Sequence, residues 1–164
     1  MQQVDFDAQC ATADRIFVGT VHAVAARKNP RAPQYFETIV TFAVDEVVAG
    51  TVPPEIDLRL TGGTIGDEQQ SIDGMPDFEV GERYVVMLEA DQARPLVSPF
   101  VGFNQGVYRV LRDARGAYVG DRHGLPLPQL ATSVAGAAAE TYGRPAGHVD
   151  LAAFVAGIRA ARAR

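Results

Sequence analysis

The stretch that most constrains the fold runs from Gln34 to Gly50 and reads QYFETIVTFAVDEVVAG. One face of it is mainly apolar, and polar residues interrupt the other. The first face carries Phe36, Thr38, Val40, Phe42 and Val44, and the second carries Glu37, Thr41 and Asp45. This period of two is typical of a half-buried β-strand. Strands most often have about 5–6 residues, and long bent strands pair on both sides in closed barrels. The stretch therefore predicts the central strand of an all-β domain.

Two further strands are predicted on either side of this central strand. Arg15–Arg27 is rich in Val, Ile and Phe, and we expect Gly19 to mark a bulge or a tight bend in it. Glu55–Leu60 alternates, with Ile56, Leu58 and Leu60 predicted to point inward. The loop Lys28–Pro33 is short and polar, and so is the AGTVPP connection. Consecutive strands joined in this way predict an antiparallel meander.

The second half of the chain predicts shorter elements. Thr61–Asp77 is irregular and glycine-rich, and we interpret it as a hairpin with exposed polar residues. The stretch ERYVVMLEA predicts a strand that is buried on both faces. A strand pair is expected next, around Arg94–Val97 and at Gly106–Arg112. The second of these is followed by a turn at Asp113–Gly116 and a short segment at Ala117–Val119.

Helices are expected at both ends of this β-rich region. Asp5 or Asp7 is a suitable N-cap for a short helix, and Asp150 for a longer one with an apolar stripe. The stripe consists of Leu151, Phe154, Val155 and Ile158. The predicted fold class is all-β: an OB-like antiparallel barrel of five or six strands, with a short N-terminal helix and a C-terminal helix. We expect one domain over residues 1–164, comprising a barrel core (5–119), a surface strap (120–147) and the C-terminal helix (150–162).

Composition and charge exclude several classes of function. The formal net charge is −5 at pH 7, so the surface as a whole repels nucleic acid and anionic lipid. Arg159, Arg162 and Arg164 form a local basic cluster, which we interpret as cations at a helix C-terminus. Cys10 is the single cysteine and cannot form an intrachain disulfide. No run of residues approaches the roughly 20 apolar residues of a membrane span. The first residues lack the layout of a signal peptide.

Three stretches resemble the tissue-inhibitor-of-metalloproteinase (netrin-module) superfamily, whose members have an OB-like barrel. They are ADRIFVGTV (13–21), VTFAVDEVVAG (40–50) and FEVGERYVV (78–86). The chain is also similar to uncharacterised, usually exported bacterial proteins that share GGTIGD, FEVGERYVVML and QGVYRV and end in an L-x-x-F helix. The resemblance covers most of residues 5–112 and the last helix, chiefly at core and turn positions. It therefore implies the fold more than an activity.

The inhibitory mechanism of that superfamily does not carry over to this chain. Those inhibitors chelate the protease zinc through an N-terminal cysteine, whereas this chain starts Met1-Gln2-Gln3 and its Cys10 lies just before the first strand. The resemblance implies a non-enzymatic, exported binding module of periplasmic or extracellular location, with a leader removed. A cytoplasmic location is the alternative. The expected partner is a secreted protease or an envelope protein, and a homodimer through a strand edge is a further option.

The stretch SPFVGFNQGVY is the candidate binding site. It combines aromatic area with adaptable polar groups, a mixture found at ligand and partner sites. The candidate residues are Phe100, Phe103, Asn104, Gln105 and Tyr108. The alternative is a loop whose aromatic side chains plug one end of the barrel. No cofactor is predicted.

A different class of function is kept as the alternative, a small metal-dependent hydrolase. It would use two Asp/His pairs, Asp121 with His123 and His148 with Asp150. Zinc sites usually have tighter ligand spacing. No G-x-S-x-G nucleophile elbow is present. The carboxylates of the 61–77 region do not follow a calcium-loop spacing, and its glycines lack the Gly-Lys-Ser/Thr of a phosphate loop.

Overall fold

The strand predicted from Gln34–Gly50 is the longest strand that the structure describes. The structure is a computed structural model that describes residues 5–90, 98–127 and 148–164. Its elements are α1 (Phe6–Thr12), β1 (Arg15–Asn29), β2 (Ala32–Ala49), β3 (Glu55–Thr61), β4 (Gly63–Ile65), β5 (Glu68–Gln70), β6 (Arg83–Leu88), β7 (Val107–Asp113), β8 (Gly116–Gly120), β9 (Val149–Asp150) and α2 (Leu151–Ala163).

Seven of these strands form one antiparallel sheet, in the order β3-β2-β1-β6-β7-β8-β9, and β4 and β5 form a separate hairpin. The mainly β class and the meander of β1, β2 and β3 are confirmed. The predicted closure into a barrel is not found, because no pairing among the described residues joins β3 to β9. Alternation predicts that a segment is a strand, but it does not say which strand lies beside it. The sequence therefore could not distinguish an open sheet from a closed barrel.

Strand β1 belongs to two ladders that cover different parts of its length. It pairs with β2 from Ile16 to Asn29, but with β6 only from Arg15 to Thr20. The register against β2 shifts at several points, including one after Val18 and one between Val21 and Ala23. The first shift confirms the irregularity expected at Gly19. Beyond the second shift, the pairing of β1 within the described ranges is with β2 alone.

The two faces of the sheet pack against different parts of the chain. On the helix face, residues such as Ile16 and Val85 pack with both helices. On the loop face, a second cluster consists of Phe17, Val21, Val40, Phe42, Leu58, Leu60, Phe78, Tyr84, Val86, Leu88, Phe100 and Val107. Phe78 and Phe100 come from connections between strands, so loops rather than helices cover this face. The predicted inward face of β3 is confirmed by the burial of Leu58 and Leu60.

Both predicted helices are present and contact each other on the helix face. Asp5 caps α1 by accepting a hydrogen bond from the backbone N–H of Ala8 at 2.8 Å. The rings of Phe6 and Phe154 lie 5.4 Å apart, between centroids. Asp150 occupies the N-cap position of α2, but its side chain makes no capping hydrogen bond. Asp150 is instead the last residue of β9, where its backbone pairs with Tyr118 of β8.

The remaining predictions concern the second half of the chain. The hairpin expected in 61–77 is formed by β4 and β5, and the strand buried on both faces is β6. β7 and β8 lie close to their predicted positions. The strand expected at 94–97 and most of the strap at 120–147 lie outside the described residues. No helix within the described ranges has the length and apolar character needed to cross a membrane.

Candidate functional site

A cleft of about 600 Å³ lies on the loop face, over β1, β2 and β3. Its volume falls within the roughly 300–1,000 Å³ typical of ligand sites. The floor is formed by sheet residues and the walls by the β4–β5 hairpin and the connection that follows it. The lining residues are Val24, Ala26, Thr38, Val40, Leu60 and residues 61–64 and 69–78.

The β4–β5 wall is tied to β2 by hydrogen bonds that continue the sheet beyond the end of β3. The N–H of Gly62 donates to the carbonyl oxygen of Phe36 at 2.8 Å. The hydroxyl of Thr38 donates to the Gly62 carbonyl oxygen at 2.8 Å. The side-chain amide of Gln70 then bonds Phe36 N–H (2.7 Å) and the Gln34 carbonyl oxygen (2.9 Å). Four hydrogen bonds thus fix this wall against a single strand.

Gly63 allows the hairpin to approach the floor closely. Its φ is +149°, a value that L-residues rarely adopt. A Cβ at this position would lie 2.6 Å from the Thr38 hydroxyl oxygen and 3.0 Å from the Ala26 Cβ. Both the conformation and the space therefore require glycine. The Gly62-Gly63 pair therefore has a structural role at the edge of the cleft.

The second wall, residues 71–78, is fixed at its middle and at its end. The carbonyl oxygen of Gly74 accepts hydrogen bonds from Asn104 Nδ2 at 2.6 Å and from Arg122 Nη1 at 3.1 Å. The Phe78 ring lies edge-on to the rings of Tyr84 and Phe42, with centroid distances of 4.9 and 5.5 Å. This wall is therefore attached to the loops that precede β7 and follow β8.

The lining combines an apolar floor with hydrogen-bonding walls. Val24, Val40 and Leu60 contribute apolar surface, and Val24 is 40% exposed. The walls contribute glutamine, serine and threonine side chains and the carboxylates of Asp73 and Asp77. No Lys, Arg or His is among the described residues that line the cleft. These groups suit a neutral or cationic ligand with apolar parts, and disfavour an anion.

The five residues predicted as a binding site are divided between different environments. Phe100 is buried in the loop-face cluster, and Tyr108 is buried in the helix-face cluster, where its hydroxyl donates to Gln9 Oε1 at 2.6 Å. Burial raises the pKa of the Tyr108 hydroxyl. Phe103, Asn104 and Gln105 are half-buried. The sheet thus separates Phe100 from Tyr108. Phe100 and Asn104 both contact the second wall of the cleft, Phe100 through the Phe78 ring, with centroids 5.7 Å apart, and Asn104 through the Gly74 carbonyl oxygen.

The loop that carries Phe103 has a strained backbone. Phe103 has φ +70°, which lies in the left-handed region of backbone conformation. Within the described part of the chain, it is the one residue other than glycine with a positive φ. Its carbonyl oxygen accepts a hydrogen bond from the Ser98 hydroxyl, which also accepts one from the N–H of Phe100. The Phe103 ring lies near Gly74: a Cβ atom on Gly74 would be 3.5 Å from Phe103 Cε1. Strain of this kind is often retained at functional sites.

The four residues of the hydrolase alternative make structural contacts. Asp121 Oδ1 accepts hydrogen bonds from the N–H groups of His123 and Leu125, which closes a turn. The Arg122 side chain donates to His123 Nε2 at 2.9 Å. His148 Nε2 lies 3.1 Å from the Gly124 carbonyl oxygen. Within residues 5–90, 98–127 and 148–164, no three His, Cys, Asp or Glu side chains are close enough together to hold a metal ion.

Cys10 is fully buried and lies on the helix face. Burial raises the pKa of its thiol to about 12, and the negative charge of Asp7 adds to the effect. A thiol with such a pKa is protonated at neutral pH, whereas nucleophilic cysteines need a lowered pKa.

A buried carboxylate on the helix face was not anticipated. The side chain of Glu37 is 2% exposed, although it lies on the predicted polar face of β2. The Nε atom of Arg27 lies 2.6 Å from Glu37 Oε1, and the Nε of Arg59 lies 3.5 Å from Oε2. The two guanidinium groups come from the neighbouring strands β1 and β3. Opposite charges at facing strand positions could have indicated this cluster, but only with the register known.

Comparisons of the chain with known protein families, with curated proteins and with solved structures gave no match. The superfamily resemblance drawn from the sequence therefore stays a prediction. The cleft itself rests on the geometry described above.

Proposed function

We propose that this protein is a non-enzymatic, exported binding module and that the cleft on its loop face holds the ligand or partner. The observation that carries the proposal is the construction of the cleft. An apolar floor on three strands lies between two walls, and each wall is attached to the sheet or its loops by side-chain hydrogen bonds.

Attachment of both walls favours binding, because a preformed site loses little conformational entropy when it is filled. Gln70 fixes one wall at Gln34 and Phe36, and Asn104 fixes the other at Gly74. The lining offers hydrogen bonds, apolar contact and the carboxylates of Asp73 and Asp77, groups that suit recognition of a ligand. Export is carried over from the resemblance to exported bacterial proteins.

We also propose that the architecture of this binding module is OB-like. Two features support it: the long strand β1 pairs with β2 and with β6, and aromatic side chains from loops fill the face on which the cleft lies. OB-like proteins commonly bind along one sheet face. The acidic charge of this chain argues against nucleic acid as the ligand.

The proposal is tested by placing a charge in the cleft and, as a matched control, on the opposite face of the same strand. Val24 lines the cleft, whereas its neighbour Ala25 is exposed and is not among the lining residues. A library of small polar and peptidic compounds is screened by NMR against the natural chain, Val24→Arg and Ala25→Arg. We expect compounds that shift the amide signals of cleft residues in the natural chain and in Ala25→Arg, but about tenfold more weakly in Val24→Arg.

If both variants lose the signal shifts, or if both keep them, the cleft is not the binding site. Folding of each variant is checked by its circular dichroism and its melting temperature. Both side chains are at least partly exposed, so neither arginine has to be buried.

A further inference from the structure

We propose that the cleft takes an extended peptide segment of a partner protein and that this segment adds as a strand to the free edge of β1 at residues 22–28. The inference rests on the proposed function and specifies its ligand class. Three observations carry it: the one-sided pairing of β1, the side chains along its free edge, and the charge of the cleft beside that edge.

The free edge begins where the ladder between β1 and β6 ends. That ladder stops at Thr20, and the last contacts on this side are two backbone hydrogen bonds of Val21 with Gly81 and Glu82, both 2.9 Å long. From Ala23 to Lys28 the pairing described for β1 is with β2. In an antiparallel strand, alternate N–H and C=O groups point to each side. Among residues 5–90, 98–127 and 148–164, no strand pairs with the groups of this segment that point away from β2, and we infer that they are open to another strand.

The side chains of residues 23–26 do not protect the edge, and the charged residues Arg27 and Lys28 lie only at its end. Native proteins usually blunt exposed edges with charged residues, proline or bulges. The other long edge, β3, follows this rule, since exposed Glu55, Asp57 and Arg59 alternate along it. Residues 23–26 of β1 are alanine and valine, and Ala23, Val24 and Ala25 are exposed. An unprotected edge of this kind is the template used in recognition by strand addition.

The position of the cleft links the edge to the site. Val24 and Ala26 point into the cleft, while residues 71–78 form its second wall. Directly opposed side chains of paired strands lie on the same face of a sheet. A strand added beside β1 would therefore place every second side chain in the cleft, next to Val24 and Ala26. Backbone hydrogen bonds would supply affinity, and the cleft would select the side chains.

The charge of the cleft indicates which side chains it selects. Asp73 and Asp77 lie in the second wall, and no cationic residue is among the described lining residues. The formal charge of the chain is −5. A peptide with lysine or arginine at alternate positions complements this wall, whereas an acidic peptide is repelled. The occupant is therefore an extended basic segment.

The test uses short capped peptides in which valine alternates with lysine, glutamine or glutamate. A fourth peptide repeats the lysine sequence with N-methyl groups on alternate amides, which removes strand hydrogen bonds and keeps the side chains. Binding is measured by calorimetry, and hydrogen exchange is followed at individual amides by NMR. We expect the lysine peptide to bind about tenfold more tightly than the glutamate peptide. We also expect the lysine peptide to slow hydrogen exchange at alternate amides within residues 22–28. The N-methylated peptide should neither bind tightly nor slow this exchange.

The results separate this inference from the function on which it rests. If compounds bind in the cleft and Val24→Arg weakens them, but no peptide slows exchange at residues 22–28, strand addition is wrong and the binding module stands. If no compound depends on Val24, both proposals fall. Exchange at these amides could instead slow as protein concentration rises, with a dimer seen by light scattering. That result would identify a second copy of the chain as the occupant and overturn the proposal of a peptide ligand.

Discussion

The side-chain amide of Gln70 lies against the backbone of Phe36 where a neighbouring strand would otherwise pair. Its Oε1 accepts the Phe36 N–H at 2.7 Å, and its Nε2 donates to the carbonyl oxygen of Gln34 at 2.9 Å. One side chain thus satisfies a donor and an acceptor of β2 beyond the last residue of β3 that pairs with it. The β4–β5 hairpin is held over the cleft by this contact and by those of Gly62.

Replacing Gln70 with alanine is expected to loosen the hairpin without unfolding the sheet. Two hydrogen bonds to backbone groups are lost, which lowers the free energy of unfolding by about 1–2 kcal/mol. Amides of residues 63–70 should exchange faster with deuterium, while those of β6 should be unchanged. Gln69→Ala is the control, because the adjacent Gln69 is exposed. Equal effects of the two substitutions would contradict the role assigned to Gln70.

The cluster around Glu37 predicts different effects for its two arginines. Arg27→Met leaves Glu37 Oε1 buried without its 2.6 Å partner, and we expect a loss of about 1–3 kcal/mol in unfolding free energy. Arg59→Met should cost less, because its Nε lies 3.5 Å from Oε2. In the double variant Arg27→Met with Glu37→Met, most of the loss should be recovered, since no buried carboxylate is left unpaired. Urea unfolding measures all three, and equal losses for the single variants would contradict this ranking.

Arg162 of α2 is expected to stabilise α1. Its Nη1 donates to the carbonyl oxygens of Cys10 and Ala13, at 2.6 and 2.7 Å, at the end of α1 where such groups lack helical partners. Arg162→Ala should lower the free energy of unfolding by about 1.5–3 kcal/mol, the range typical of hydrogen bonds that involve a charged group. The control is Arg159→Ala, which removes only an exposed ion pair with Glu46 and should cost at most about 1 kcal/mol. The reverse order would refute this capping role.

Cys10 predicts a pH dependence of stability in the alkaline range. Its pKa rises from 9.0 to about 12 in the folded chain because the thiol is buried. The unfolded chain therefore loses this proton above pH 9, while the folded chain keeps it. Cys10 thus makes stability fall with rising pH between about 9 and 12, with a slope of up to about 1.4 kcal/mol per pH unit.

Cys10→Ala should remove this contribution from the fall in unfolding free energy that urea denaturation measures between about pH 9 and 12. Part of the fall should remain, because burial also raises the pKa values of Tyr84 and Tyr108. At neutral pH, a thiol reagent should modify Cys10 only as fast as the chain opens. Rapid labelling of the folded protein would contradict the burial of the thiol.

The regular elements could be predicted because their patterns are local. The alternation around Phe42 identifies β2, and the repeat of Phe154 and Ile158 identifies α2. The connection predicted at Lys28–Pro33 is present as a turn, but it is confined to Pro30 and Arg31, because β1 and β2 extend further than their apolar patterns. Strand pairing continues there without a core to bury, so no apolar period marks it.

The candidate site could not be predicted, because its contacts join distant parts of the chain. Asn104 was selected for its aromatic neighbours, yet its described contact is with Gly74, which the sequence does not indicate. Gln70 looks like an ordinary hairpin residue until its amide is placed against β2. Phe100 and Tyr108 were grouped by nearness in sequence, but alternate faces of the sheet separate them. Register and side-chain direction decide such contacts, and neither follows from composition.

The hydrogen bond between Gln9 and Tyr108 joins residues 99 positions apart, and Phe154 of α2 packs against the Tyr108 ring. During synthesis, the loop face can assemble once β7 has emerged, because the last of its described buried residues is Val107. The helix face remains incomplete until Phe154 and Ile158 are made. A ribosome stalled between these two points would hold a chain with one finished side and one exposed apolar side, and that intermediate is where a chaperone would bind.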